Sequence, residues 1–375
     1  MSKEFELLVA AAIAEDVKCA DVDKFEELLR CDINWPVVVK LARFHGVTPQ
    51  LSRKLRSTSP QHPVLDELKP NLISSAQFNL FLANEFIRIQ NAFTNACVPI
   101  LTFKGPSLAL VAYGDLGLRN FNDLDILVHL DSIHAAIVLL SELGYSSYDG
   151  LDSEQQLFQL QSKGEVLFRH PNRACVDLHC NLSQGGFPFP VSFEDLWSKR
   201  QLVESSAGGL YTFSPLDLCI YSSIHGSKHE WSELRWILDF VRLASKVGIK
   251  DIENRAKQIG EHRIVDFAFV VSETVLGFRF SERIGAPVRS SFCQLSKTIR
   301  ANADPGVVRT TTLGNLRFHL IVRGEPVSTI RYAAECFFTP HLTDWNWIKM
   351  PRKWWWLYAI LRPLRLFLKF FGRNK

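Results

Sequence analysis

Hydrophobic positions recur every three to four residues over 7–14, 25–29, 35–44 and 73–93, the spacing of amphipathic helices with one buried face. Asn34 stands where the third of these needs an N-cap, and Pro36 suits its first turn. Near residue 96 the pattern changes. Short β-prone apolar runs at 98–103, 123–130, 165–169 and 174–180 alternate with helical stretches at 106–113 and 132–143, the second closed by Gly144. Ser214, a capping residue followed by Pro215, reopens the helical period, which runs past His225 towards His229 and continues over 231–243. Gly and Pro breaks near Gly248, at 285–287 and at 304–306 divide the remainder of the chain. This order predicts an α+β fold. A mixed-sheet core over 96–213 is flanked by an N-terminal helical region over 1–95, a helical region over 214–344 that packs on the core, and a tail over 345–375.

Composition adds mainly exclusions. At 375 residues the chain is long enough to bury a large core. Its 47% hydrophobic and 22% charged residues are ordinary for a globular protein, and a net charge of +4 is too small to argue for nucleic acid as a partner. The eight cysteines contain no Cys-x-x-Cys pair, so reduced thiols are expected rather than a disulfide framework or a cysteine-held metal. The first residues lack the positive region and apolar core of a secretory signal, and no apolar run reaches transmembrane length, which points to the cytoplasm.

Candidate chemistry concentrates in Gly117-Leu118-Arg119-Asn120-Phe121-Asn122-Asp123-Leu124-Asp125-Ile126-Leu127-Val128. Strand side chains alternate faces, so Asp123 and Asp125 project together while Leu124 and Ile126 enter the core. Adjacent carboxylates repel each other and lose solvation, and a divalent cation removes both problems. Hard cations such as Mg²⁺ take one or two carboxylates plus substrate phosphates, so the run reads as a metal site for phosphate chemistry. On that reading Asp123→Asn or Asp125→Asn removes a ligand, relieves repulsion, and holds or raises stability without metal. A second strand, Ala174-Cys175-Val176-Asp177-Leu178-His179-Cys180, puts Asp177 and His179 on one face. If the two strands are neighbours, Asp177 is a third carboxylate. Lys104-Gly105 ends the apolar run at 98–103, and Arg119 lies in a Gly-containing loop four residues before Asp123.

The ordered set Lys104-Gly105, helix, Gly117-Leu118-Arg119, Asp123-Leu124-Asp125 and Val176-Asp177-Leu178-His179 resembles the nucleotidyltransferase superfamily of DNA polymerase β type, and within it the branch of uncharacterised nucleotidyltransferases. His225-Gly226-Ser227-Lys228-His229, Leu234-Arg235-Trp236 and Asp239 extend the likeness, which runs from about Lys104 to Asp239. The resemblance implies a Mg²⁺- (or Mn²⁺-) dependent enzyme that moves a nucleoside monophosphate from an NTP, ATP among the candidates, to an acceptor. Asp123, Asp125 and Asp177 would bind the metal, and Asp177 would help activate the acceptor hydroxyl. Lys104, Gly105, Ser107, Arg119, Lys228 and His229 would contact the nucleotide. Superfamily members usually carry Gly-Ser or Gly-Gly at the turn. Here Gly105-Pro106 removes one N–H donor and delays the serine to Ser107, so Lys104 or Arg119 is expected to substitute.

The helical segment after the core looks like the family's partner that closes over the nucleotide, with a buried network of Arg, Asp and Trp as the alternative. His225 and His229 stand i, i+4 and share a face on continuous helix, but no Glu follows the first His as a zinc-protease motif requires. The sequence does not choose among a small molecule, a protein side chain and an RNA end as acceptor. Two other readings stay open: a phosphotransferase using the γ-phosphate, and a non-catalytic nucleotide- or membrane-binding protein.

The tail gathers Trp345, Trp347, Trp354, Trp355, Trp356 and Tyr358 with Lys349, Arg352, Lys353, Arg362, Arg365 and Lys369. It is expected to dock on its own core with a basic outer face, and to make weak peripheral membrane contact, since Trp favours the membrane–water boundary and Lys and Arg favour anionic lipid.

Overall fold

The computed structural model describes residues 2–13, 24–183, 186–278, 286–301, 312–324, 326–340 and 342–372. Gly285 and the break expected at 304–306 lie outside the described residues. The fold is mixed α+β. Its seven strands are β1 Ile100–Thr102, β2 Asp123–Val128, β3 Ser146–Ser147, β4 Glu165–His170, β5 Arg173–His179, β6 Gln201–Ser205 and β7 Gly208–Thr212. They form one sheet in the order β3-β4-β5-β2-β1-β7-β6. β2 lies between β1, to which it is antiparallel, and β5, to which it is parallel.

The two-residue period sorts the side chains of the central strands. Leu124, Ile126 and Val128 of β2 and Ala174, Val176 and Leu178 of β5 join one hydrophobic cluster, with Phe86, Ile89 and Phe93 from the helix Val64–Asn95 and Ile137 and Leu140 from the helix Ile133–Glu142. Leu127 points the other way, into a second cluster with Leu101, Phe103 and Phe213. That cluster unites Leu7 and Leu8 of the helix Lys3–Ala12 with Leu218, Ile237 and Phe267 from the helices Pro215–Lys228, Leu234–Lys246 and His262–Leu276. Helices from before and after the sheet therefore form one layer. It covers the face to which Asp123, Asp125 and Asp177 belong by alternation.

The expected strands and helices fall close to their observed positions. Asn34 Oδ1 accepts from Val37 N, and Ser214 Oγ accepts from Asp217 N, so both caps are made. Gly144 follows the helix Ile133–Glu142 with a φ of 89°. The hairpin β6–β7 was not foreseen. Gly208 and Gly209 open β7 with no side chain to pack, which empties the β signal of a strand that nonetheless pairs with β1 through Thr102 and Thr212. The helix Thr48–Thr58 also escaped, because Leu51 and Leu55 are its only leucines and it otherwise buries Thr48, Pro49, Gln50 and Ser52, which give no apolar period. The helix expected from 73 begins at Val64 and carries Pro70 inside it.

The helical run expected through His229 and over 231–243 is broken. One helix ends at Lys228, Glu230 and Trp231 take φ of 54° and 51°, and the next begins at Leu234. The cause is packing. The indole of Trp231 folds back over Gly226, where an added Cβ would lie 2.5 Å from the ring, and its Nε1 donates to Ser227 Oγ at 3.2 Å.

The tail comprises the helix Leu342–Trp347, a 3₁₀ turn Arg352–Trp354 and the helix Leu357–Gly372. Trp345 and Tyr358 are buried, and Phe158 meets the rings of Trp345 and Trp355 at 5.7 and 5.1 Å. Buried Asp344 accepts from Arg362 Nη1 at 3.1 Å and Arg365 Nε at 2.5 Å. No helix among the described residues is long and apolar enough to cross a membrane. The seven described cysteines form no disulfide.

Candidate active site

The parallel register of β2 and β5 sets Asp125 opposite Asp177 and Leu127 opposite His179. Adjacency of the two carboxylate strands, an inference at the level of sequence, is thus realised. Asp125, Asp177 and His179 form a group among the described residues in which one ligand atom from each lies within 4.8 Å of the others. Asp123 pairs with Cys175 and stands outside that group, exposed at the rim.

Two cations hold Asp125. Lys104 Nζ donates to its Oδ1 at 2.7 Å, and His179 Nε2 lies 3.2 Å from the same oxygen and 3.2 Å from Asp177 Oδ2. Burial alone would push the Asp125 carboxyl up, but Lys104 and His179 outweigh it and hold the group well below the usual carboxylate range. Burial likewise opposes the charge on Lys104, and the neighbouring Asp125 carboxylate raises that ammonium above its ordinary value. For His179 burial is again overcome, by Asp177 and Asp125, and the imidazole is pushed up to about 9.

Asp123 behaves oppositely. Desolvation, then the charge of Asp125, pushes its carboxyl up. The two carboxylates of the Asp-x-Asp pair are therefore not equivalent. On these grounds neutralising Asp123 is still expected to hold or raise stability, whereas neutralising Asp125, whose negative charge already has partners, is now expected to lower it.

The raised His179 value fixes a pH dependence. A histidine whose folded-state value lies above its ordinary 6.5 contributes stability that is complete below about 6.5 and lost as pH rises through about 9. In chelator, wild-type unfolding free energy is expected to fall by on the order of 3 kcal/mol between pH 6 and 9.5, and by much less in His179→Gln. Denaturant titrations at the two pH values measure this; equal losses in both proteins would assign the titration to another group.

The turn entering the site is built by Lys104 and Gly105. Gly105 takes a φ of +52°, and a Cβ there would sit 3.4 Å from the carbonyl oxygen of Asp123, so a side chain would meet both strain and crowding. Ser107 is buried, and its hydroxyl donates to the Lys104 carbonyl at 2.9 Å. The short helix Gly105–Leu108 then widens into a π-helical turn, Ala109–Tyr113.

The loop before β2 is braced from three helices. Gln50 Nε2 donates to the Leu118 carbonyl at 2.7 Å, and Asn79 Nδ2 to those of Leu116 and Arg119 at 2.6 and 3.0 Å. Arg119 is buried, with Nε 3.0 and 3.1 Å from the two carboxylate oxygens of Asp239, whose Oδ1 also accepts from Tyr113 at 2.8 Å. The buried Arg–Asp network weighed as the alternative for this region thus contains Arg119 itself.

Lys228 ends its helix exposed, within the field of the site. Desolvation lowers its ammonium pKa, against the pull of Glu165, Asp177 and Asp125. His225 and His229 do share a face, with ring centroids 4.6 Å apart, and both pack on Trp236 at 5.8 and 4.9 Å. Two contributors were missed. The buried Tyr221 phenol stands in the field of Lys104 and Asp125, and its ring packs on Phe103 at 5.0 Å. Tyr221 precedes His225 by four residues, so helical spacing from that histidine was the signal available. Glu165 lies opposite His179 in the β4–β5 register, with Oε2 3.7 Å from Nδ1, and nothing in the sequence links them.

Carboxylate oxygens suit Mg²⁺ or Mn²⁺, and the donor set fits such an ion in one further respect. Asp177 Oδ1 is a buried oxygen with no hydrogen-bond partner among the described residues, which an uncompensated site would not tolerate cheaply. No curated protein and no solved structure matches the chain. A family model described as uncharacterised nucleotidyltransferase matches residues 32–277, a span that takes in the whole sheet, the bracing helices and the helices Pro215–Lys228, Leu234–Lys246 and His262–Leu276. The chain, with its facing Asp125 and Asp177 in that span, belongs to the family of uncharacterised nucleotidyltransferases.

Proposed function

We propose that the protein transfers a nucleoside monophosphate from an NTP to a hydroxyl-bearing acceptor, with release of pyrophosphate. The observation that carries this reading is the register of β2 and β5, which brings Asp125 and the unpartnered Asp177 Oδ1 together beside a lysine. Asp125 and Asp177 would hold a divalent cation, Mg²⁺ or Mn²⁺, with His179 beside them and Asp123 at the rim. The cation would supply neutralisation of phosphate charge and a Lewis acid at the reacting phosphoryl group.

The chain's own residues account for the remaining roles. Asp177, partly open to solvent, accepts the acceptor's hydroxyl proton. Lys104 offers a positive charge to the phosphates from the foot of the site, and Gly105 lets backbone come close there. Lys228 and His229 approach from the helical layer. Ser107 and Arg119 serve the same site from behind, the first by pinning the turn and the second by fixing the loop that leads into β2.

Location of the label decides the reaction type. Incubation with NTP labelled at the α-phosphate is expected to label an acceptor in a Mg²⁺- or Mn²⁺-dependent way, while γ-label leaves in pyrophosphate. Transfer of γ-label with none of the α-label would overturn the proposal in favour of a phosphotransferase. A panel of small molecules, protein and RNA ends identifies the acceptor.

A further inference from the structure

Two helices beyond residue 277 carry exposed apolar stripes. In the helix Pro326–Phe338, Tyr332 and Glu335 turn inward: the Tyr332 ring stacks on His319 at 3.6 Å, and Glu335 Oε2 accepts from Gly186 N at 3.1 Å. Its outer side carries Val327, Ile330, Phe337 and Phe338, all exposed, Val327 at 75%. The helix Leu357–Gly372 repeats the arrangement. Tyr358 is buried and Arg362 and Arg365 bind Asp344, while Ile360, Leu364, Phe367 and Leu368 lie outward at 50% exposure or more. Those four stand at i, i+4, i+7 and i+8, one face of a helix. Arg362 Nε donates to the Cys336 carbonyl at 3.1 Å, so the two helices lie side by side. Between them in sequence, Trp347, Ile348, Trp354 and Trp356 are exposed as well, Trp356 at 62%.

Exposed apolar stripes on two adjoining helices mark an interaction site. Charge selects the occupant. From Trp345 to residue 375 the sequence holds Lys349, Arg352, Lys353, Arg362, Arg365, Lys369, Arg373 and Lys375 and no Asp or Glu. Arg362 and Arg365 are matched by Asp344, and Arg352 by Glu154 at 2.6 Å, which leaves Lys349, Lys353 and Lys369 as the exposed charge among the described residues, and a second copy docking by the same face would set these lysines against their own kind. An anionic bilayer offers the complement: acyl chains for the Leu, Ile and Phe side chains, the headgroup boundary for exposed Trp, and negative charge for Lys and Arg.

We propose that this face, formed by the helices Pro326–Phe338 and Leu357–Gly372 with the Trp-rich connection between them, binds the surface of an anionic membrane. The family match ends at Gly277, so this surface lies outside the matched span, and the proposal does not depend on the reaction assigned to the site.

Co-sedimentation of the full chain with vesicles tests the assignment. Vesicles of phosphatidylcholine with phosphatidylglycerol are expected to bind at least about tenfold more protein than phosphatidylcholine alone, with the difference shrinking as salt rises. Leu364→Glu with Phe367→Glu, and separately Lys349→Glu with Lys353→Glu, should each reduce binding at least about tenfold in protein that still melts cooperatively, since all four side chains are exposed. Folded wild type that ignores anionic vesicles overturns the proposal. So does sedimentation velocity showing a dimer that Leu364→Glu with Phe367→Glu disperses, because a second copy would then cover the face.

Discussion

Asp125→Asn is expected to reduce nucleotide transfer by roughly a thousandfold and to destabilise the protein even in chelator. The first effect arises from removing a carboxylate that faces Asp177 across the strand pair. The second arises from the neighbours of that carboxylate. Lys104 Nζ at 2.7 Å and His179 Nε2 at 3.2 Å both rely on the same Asp125 oxygen. An asparagine still accepts a hydrogen bond but carries no charge, so a largely buried ammonium loses its counterion and a buried imidazolium keeps only Asp177 of the two carboxylates beside its Nε2. Removing one partner of a buried pair destabilises by about 3–5 kcal/mol. Lys104 keeps 20% of its side-chain surface open, which moderates the loss to about 2–3 kcal/mol.

Asp123→Asn provides the contrast. Its carboxyl is pushed up by desolvation and by Asp125, so its ionised form costs stability at neutral pH, and the asparagine should hold or raise the melting temperature. Activity assays with Mg²⁺ and melting curves in chelator on the two variants measure both effects. Equal stability changes would mean that Asp125 is not the charge to which Lys104 and His179 answer.

Sequence alone located the carboxylate strands because their information is local. Alternation assigns Asp123, Asp125, Asp177 and His179 to one face, and the apolar residues between them say which face is core. The asymmetry between Asp123 and Asp125 was not legible. It arises from Lys104, which reaches Asp125 from the end of an antiparallel neighbour, and from His179, which arrives through a parallel register that no local pattern encodes. Glu165 was missed for the same reason. Likewise β6 and β7 left little trace, because a glycine-led strand packs through its backbone pairing more than through side chains. The broken helix at 229–233 depends on one indole folding onto one glycine, and helical spacing on either side of it is uninterrupted in the sequence.

Arg119 presents the sharpest divergence between a local and a tertiary reading, and Asp239→Ala is expected to destabilise the fold by about 3–5 kcal/mol. In sequence Arg119 reads as a cation waiting for a phosphate. In the fold its guanidinium is buried against Asp239, 120 residues away, and Tyr113 donates to the same carboxylate. Deleting that carboxylate strands a buried cation and a buried phenol at once. The helix Leu234–Lys246 would then lose its hold on the loop that aims Asp123 and Asp125. Arg119→Met alone should be nearly as damaging, because it leaves Asp239 buried with only Tyr113.

Removing both charges is different. Arg119→Met with Asp239→Leu leaves no stranded ion, so the double variant should be more stable than the sum of the single losses implies, by at least about 1–2 kcal/mol. Denaturant unfolding of the four proteins gives this coupling, and nucleotide titration of the double variant adds the decisive comparison. If Arg119 acts by bracing, the double variant keeps nucleotide affinity within about tenfold, or 1.4 kcal/mol, of wild type. A stable double variant with affinity lost far beyond that would return Arg119 to direct contact with the triphosphate.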